Sequence, residues 1–208
     1  KLWYCFFIVN LFSLTLYGQD ISLYQQYNGR YDFTFIGNTL NPNENSYMTA
    51  AQINTSSSAV LALNPNDVIE NAFLYWAGCG PGDFEVKLNG QTITPDRTFS
   101  HHRISGNLEM DYFSTFTDIT NQVQTTGSGT YTLSDLDLMP WVPYYFQNRT
   151  NFGGWAIIIV YKNSALPLNQ LNVYDGLQVI PNQILITLNS LNVIDNQNSK
   201  IGFLAWEG

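Results

Sequence analysis

Two carboxylates one residue apart, Asp135 and Asp137 in the run SDLDL, are the best candidates for binding a metal ion. Residues i and i+2 of an extended strand face the same side, so both carboxylates would point toward one site. Oxygen ligands from exported loops favour Ca²⁺. Further carboxylates are present at Asp175, Asp195 and Glu207. We expect no cofactor, with a calcium ion at this pair as the alternative to two solvated side chains at a strand end.

The second candidate is the aromatic run MPWVPYYF, Met139 to Phe146, which carries Trp141, Tyr144 and Tyr145 between and after two prolines. Its composition predicts a loop. Exposed aromatic faces in a loop can stack on pyranose rings or on another protein. In the alternative interpretation the same rings close the end of the hydrophobic core.

The remaining reactive side chains do not form a recognisable catalytic motif. His101 and His102 are adjacent, so on an extended chain they point to opposite sides and rarely share a metal ion. Neither a G-x-S-x-G sequence nor a phosphate-binding or dinucleotide-binding fingerprint is present. We therefore expect a protein that is not an enzyme. A hydrolase would need two carboxylates, or His102 with a nucleophile, in one cleft.

Charge argues against nucleic acid as a partner. The 208 residues include 8 basic and 16 acidic side chains, for a net charge of −8. The basic residues are scattered along the chain, so they form no stripe that could neutralise phosphates.

The N-terminal segment 1–18, KLWYCFFIVNLFSLTLYG, has one positive charge, an apolar run and a small residue before Gln19. This pattern predicts a secretory signal peptide; a membrane anchor is the alternative, although the apolar run is short for a span. We expect residues 19–208 to form a single domain. Because the final run IGFLAWEG has no polar tail, we expect this domain to be the N-terminal piece of a longer chain. Cleavage would leave one cysteine, Cys79, for which a buried thiol is the simpler interpretation.

Short runs rich in Val, Ile, Tyr, Phe and Thr alternate with Gly, Pro, Asn and Asp clusters, and amphipathic helices are not evident. This spacing predicts an all-β, jelly-roll-like antiparallel β-sandwich, with an immunoglobulin-like sandwich as the alternative. The expected strands are Tyr31–Ile36, Ala59–Leu63, Val68–Ala77, the hairpin around Asn89-Gly90, Gly127–Leu133, Ala156–Tyr161, Leu171–Tyr174, Ile184–Leu188 and Ile201–Trp206.

Three segments carry more specific expectations. Val68 to Ala77 is apolar on both faces and is predicted to be a central strand. Arg97 to Asp111 is polar and is predicted to be a long loop, and Asp118 to Val123 is predicted to be one helical turn capped by Asp118 or Thr117. In GGWAIIIVY the glycines and Trp155 are expected to serve packing rather than chemistry.

Several segments together resemble a known family. They are YNGRYDFTFIGNTLNP (Tyr27–Pro42), AFLYWAGCGPGDFEVKLNG (Ala72–Gly90), DITNQV and GTYTLSDLDL (within Asp118–Leu138), NRTNFGGWAIIIVYKNSALPLNQLNVYDGL (Asn148–Leu177) and KIGFLAWEG (Lys200–Gly208). They are similar to the N-terminal domain of large adhesin-like surface proteins of flavobacteria and their relatives. Such proteins usually carry a C-terminal gliding-motility-associated type B sorting domain and are exported by the type IX secretion system.

The resemblance implies a secreted protein at the extracellular cell surface, associated with the outer membrane, with the type IX secretion machinery as a partner. It implies a structural or adhesive role in gliding motility or surface attachment, toward surface glycans or other surface proteins, and brings no catalytic residues. The alternative function is a carbohydrate-binding module that uses the aromatic platform Trp141, Tyr144 and Tyr145, with calcium nearby.

Overall fold

The computed structural model of the chain describes residues 21–180, 185–193 and 197–206. The predicted signal peptide at residues 1–18 lies outside the described residues, as do Asp195 and Glu207. Within the described residues, the elements in chain order are β1 (Ser22–Gly29), β2 (Tyr31–Thr39), β3 (Ser56–Leu61), β4 (Val68–Cys79), β5 (Val86–Leu88), β6 (Gln91–Ile93), β7 (Arg97–Ser105), β8 (Leu108–Asp118), α1 (Thr120–Thr126), β9 (Gly129–Ser134), α2 (Val142–Phe146), β10 (Gly153–Lys162) and β11 (Asn169–Asp175).

The strands pair antiparallel in three sheets. A five-stranded sheet has the order β2-β10-β4-β8-β7, and a four-stranded sheet has the order β3-β9-β5-β6. Their facing sides enclose the main core, to which β4, β8 and β10 contribute from one sheet and β3, β5, β6 and β9 from the other. The predicted all-β antiparallel sandwich is confirmed.

A two-stranded ribbon of β1 and β11 lies over the outer face of the five-stranded sheet. Tyr27 of β1 and Leu171 and Val173 of β11 pack there in a second apolar cluster, together with Phe73 of β4 and Phe116 of β8. The ribbon forms a third layer that the sequence patterns do not predict.

The central strands are apolar on both faces because each face meets a core. In β10, Ile157 and Ile159 belong to the main core, whereas Ile158 and Val160 face the cluster under the ribbon. Strand β4 pairs with β10 on one side and β8 on the other. The prediction of a central strand at Val68–Ala77 is confirmed.

Local turn chemistry is also confirmed at the hairpin of β5 and β6. Asn89 has φ 49° and Gly90 has φ 80°, the left-handed pair that a type I′ turn requires. The predicted helical turn is present as α1, but the prediction of Asp118 or Thr117 as its cap is wrong, because the N-cap residue is Ile119. The Asp118 carboxylate accepts a hydrogen bond of 2.9 Å from the Thr120 N–H.

The prediction of a long loop at Arg97–Asp111 is wrong. These residues form β7 and the start of β8, joined by a two-residue turn at Gly106-Asn107. Polar side chains dominate because β7 is an edge strand, so much of its surface meets water.

The predicted strands at Ile184–Leu188 and Ile201–Trp206 are not formed over their described parts. Residues 185–188 and 201–206 have no regular secondary structure. Instead, Leu204 and Trp206 pack against the cluster under the ribbon. Their apolar side chains therefore cover part of the sheet and do not belong to a strand.

Candidate functional site

An exposed aromatic surface lies at one end of the sandwich. We call it the end patch and define it by Phe84, Met139, Trp141 and Tyr144, which are each exposed by 40 to 43%. Exposed apolar side chains that cluster on one surface can mark an interaction site, whereas scattered ones are normal.

The loop that follows β4 supports two of these rings. A Cβ added at Gly80, which has φ 101°, would lie 2.6 Å from Cγ of Trp141, so the indole rests directly on the backbone. A Cβ at Gly82 would lie 2.2 Å from Cζ of Phe84. The Gly80 N–H donates to the Asp111 carbonyl over 2.8 Å, which fixes the loop against β8. The indole is therefore supported by the Gly80 backbone, while 42% of the residue stays exposed.

The segment between β9 and α2 holds the second part of the patch. Leu136 and Leu138 are buried, and the Trp141 N–H donates to the Leu138 carbonyl over 2.9 Å. The predicted aromatic loop is in fact the short helix α2, with Trp141 as its N-cap residue.

Helix α2 directs the adjacent side chains of Tyr144 and Tyr145 to different sides. Tyr144 is exposed, and its hydroxyl donates to the Glu109 carbonyl over 3.1 Å. Tyr145 is only 3% exposed; its hydroxyl donates to the Asp111 carbonyl and accepts from the Asp111 N–H, both at 2.7 Å. Burial raises the pKa of Tyr145 to about 12. The inclusion of Tyr145 in an exposed platform is therefore wrong, because adjacent helical residues point about 100° apart.

The carboxylates of Asp135 and Asp137 are not on one strand face. Strand β9 ends at Ser134, and Asp135 has φ 66° and forms an ion pair of 2.7 Å with Lys87. Asp137 accepts a hydrogen bond from the Met139 N–H, and its own N–H donates to Asp83. Both carboxylates are thus engaged in turn geometry.

A calcium ion at this pair stays a prediction. Among residues 21–180, 185–193 and 197–206, no group of three or more His, Cys, Asp or Glu side chains is arranged to hold a metal ion. Asp175, named as a further ligand, pairs instead with Arg97 beneath the ribbon.

Acidic groups border the end patch on two sides. The Asp137 N–H donates to the Asp83 carboxylate beside Phe84, and the Asp137 carboxylate accepts from the Met139 N–H. Glu109 and Asp111 adjoin the patch through their backbone carbonyls, which accept from the Tyr144 hydroxyl and the Gly80 N–H. Sequence analysis missed Phe84, Glu109 and Asp111 as surface partners of Trp141, because only the fold brings residues 80–85 and 109–111 to the aromatic run.

The two histidines lie on β7. His102 Nδ1 is 2.7 Å from the Asp111 carboxylate, at the border of the end patch. For His101, burial and the nearby Arg103 lower the pKa. That the two histidines do not share a metal ion stays a prediction.

Cys79 at the end of β4 is a free, buried thiol. Burial raises its pKa to about 11, so the thiolate is strongly disfavoured in the folded protein. The side chain belongs to the main core.

Within the described residues, no helix is long and apolar enough to cross a membrane. Comparisons with protein-family models, with curated proteins and with solved structures give no match for this chain.

Proposed function

We propose that this chain is a non-catalytic, adhesive domain of an exported cell-surface protein, and that its end patch binds glycans. The observation that carries this proposal is Trp141, whose ring rests on Gly80 while 42% of the residue stays exposed. A flat, rigid aromatic face of this kind suits the apolar face of a pyranose ring.

The surroundings of Trp141 supply the polar half of such a site. Carboxylates and a histidine at the border can hydrogen-bond sugar hydroxyls that point away from the stacked face. The rigid support matters as well, because a preformed surface loses little conformational entropy when a ligand binds.

Binding is favoured over catalysis by the way these acids are held. The two oxygens of Asp83 accept hydrogen bonds from the Glu85 and Asp137 N–H groups, and Asp111 pairs with His102. Carboxylates fixed in turns and ion pairs suit hydrogen bonding to a ligand better than proton transfer. A hydrolase is the competing function, and its centre would be His102 with Asp111.

Export, outer-membrane association and a role in attachment or gliding motility form the second part of the proposal. The N-terminal pattern at residues 1–18 and the family resemblance support it, and the type IX secretion machinery would then be the export partner. Protease treatment of intact cells tests this part: a surface protein is digested, and a periplasmic one is protected.

The binding part is tested on a glycan array with the purified domain. We expect wild-type protein to bind a defined set of glycans, and Trp141→Ala to weaken binding by about tenfold or more, as expected for a central aromatic anchor. Phe203→Ala is the matched control, because Phe203 is 81% exposed outside the patch. A blank array, or equal binding by wild type and Trp141→Ala, would exclude the end patch as a glycan site.

A further inference from the structure

The charge around the end patch is one-sided. Asp83, Glu109, Asp111 and Asp137 all lie within one or two residues of a patch residue or of a residue in contact with one. Among the described residues, no hydrogen-bond donor contacts the Glu109 carboxylate. The surface is therefore rich in anionic acceptors, some of them available to a ligand.

The cations near the patch do not offset this charge. Lys87 is already paired with Asp135 at 2.7 Å, and His102 is paired with Asp111. Arg103 follows His102 on β7, so its side chain points to the opposite face of the sheet from that of His102. With a net charge of −8 for the whole chain, the patch repels anionic ligands.

We propose that the end patch binds glycans built from amino sugars whose amines are free and protonated. This inference rests on the proposed function and narrows its ligand. A glucosamine unit offers an apolar ring face for Trp141 and an ammonium group at C2 for the carboxylates. Hydrogen bonds between an ammonium group and a carboxylate are roughly twice as strong as neutral ones.

Two carboxylates are placed to receive such an amine. Asp137 adjoins the Leu138 and Met139 segment that supports Trp141, and only one of its oxygens is used by the Met139 N–H. The Asp111 carbonyl accepts from the Gly80 N–H, only Oδ1 of its carboxylate contacts His102, and 54% of its side chain is exposed. The two carboxylates lie on different segments near Trp141, one just before α2 and the other on β8.

A basic protein segment would satisfy the same charges but not the same geometry. Lys and Arg side chains are long and flexible, and fixing them costs rotamer entropy. A chain of linked pyranose rings presents flat faces and amines at fixed spacing, which matches a rigid indole beside rigid carboxylates. The amino-sugar ligand is therefore favoured.

The test compares three hexasaccharides with the same β-1,4 backbone and different groups at C2. They are hexamers of glucosamine, of N-acetylglucosamine and of glucose, titrated calorimetrically into the domain under conditions where the amines are protonated. We expect the glucosamine hexamer to bind about tenfold more tightly than either neutral hexamer, and added salt to reduce this preference because the charges are exposed.

Variants locate the effect. Asp111→Asn and Asp137→Asn should each remove most of the preference for the glucosamine hexamer, because asparagine keeps the shape and the Oδ1 acceptor but carries no charge. Glu70→Gln is the matched control, since it removes a partly exposed carboxylate, paired with Lys162, at the far end of β4. Thermal unfolding of each variant verifies that it is folded.

The outcomes separate this inference from the proposed function. Equal affinity for the three hexamers would overturn the amino-sugar preference while glycan binding stands. Binding of none of them would overturn it as well, and the array then decides the wider function. A preference that survives Trp141→Ala would reflect general attraction to an acidic chain and overturn the site. Equal competition by an oligolysine would reassign the surface to a basic protein partner.

Discussion

The guanidinium group of Arg97 lies 2.6 Å from the carboxylate of Asp175, although 78 residues separate them in the chain. The pair joins edge strand β7 to β11 of the ribbon. The guanidinium also packs against two neighbouring rings, 4.2 Å from the Tyr24 centroid and 3.9 Å from the Phe116 centroid. This contact secures the third layer, because the Asp175 side chain is only 5% exposed and has few other polar partners.

Substitution of Arg97 should therefore lower the free energy of unfolding far more than substitution of an exposed cation. We expect Arg97→Met to lower the free energy of unfolding by roughly 3 kcal/mol, the lower end for buried pairs because Arg97 is about one third exposed. Adding Asp175→Leu should restore most of this loss, since no unpaired charge remains buried. Urea unfolding of both variants is the measurement, with Lys87→Met as a control that should change little.

The deficit of Arg97→Met should also depend on pH. Burial raises the pKa of Asp175 even with Arg97 opposite, and without Arg97 the pKa rises further. A raised folded-state pKa favours folding most at low pH, so the deficit should shrink as pH falls through that pKa. A deficit independent of pH, or no recovery in the double variant, would show that the pair does not hold the ribbon.

Sequence patterns found those elements whose signals are local. The β4 run is apolar on both faces, and Asn89-Gly90 favours a hairpin turn by itself. Both elements are therefore predictable from the local sequence. The Arg97 contact is not, because nothing in a polar edge strand indicates which distant carboxylate it meets. The alternation of apolar and polar residues that is typical of a strand is also obscured in β7, because much of its surface is exposed to solvent.

The candidate site was predictable only in part. Trp141 and Tyr144 were identified from composition, but the same criterion selected Tyr145, which the helix turns into the core. The acidic border was out of reach, because Glu109 and Asp111 adjoin the patch through hydrogen bonds between β8 and α2.

Gly37 is a second point at which the sheet tolerates little change. It lies opposite Ala156 in the β2–β10 pair, and a Cβ there would be 2.3 Å from the Trp155 carbonyl oxygen. We expect Gly37→Ala to destabilise the domain by about 1–3 kcal/mol through overpacking against backbone. Gly154→Ala is the control: its Cβ would be 3.2 Å from the nearest atom, so the loss measured by urea unfolding should be smaller.

Cys79 should report on unfolding. Because burial raises its pKa to about 11, the thiol should resist alkylation at mildly alkaline pH while the protein is folded. The fraction of Cys79 that is alkylated, measured by peptide mass spectrometry, should rise together with the unfolded fraction as denaturant is added. Rapid labelling of the native protein would contradict the buried position.

The same thiol makes the unfolding free energy sensitive to alkaline pH. The unfolded pKa is near 9, so the stability of wild type relative to Cys79→Ala should fall between about pH 9 and 11. The expected slope is about 1.4 kcal/mol per pH unit, one proton released on unfolding. A pH-independent difference would mean that the thiolate forms as easily in the folded protein.

The central claim, that the end patch is a binding surface, is tested most directly by ¹⁹F NMR of the domain labelled with fluorotryptophan. Resonances are assigned with single Trp→Phe variants and followed while the glucosamine hexamer, or the best ligand from the array, is added. We predict a saturable shift of the Trp141 resonance, with the buried Trp76 and Trp155 unchanged. A bound ligand that leaves Trp141 unshifted, or that shifts Trp206 instead, would contradict the account.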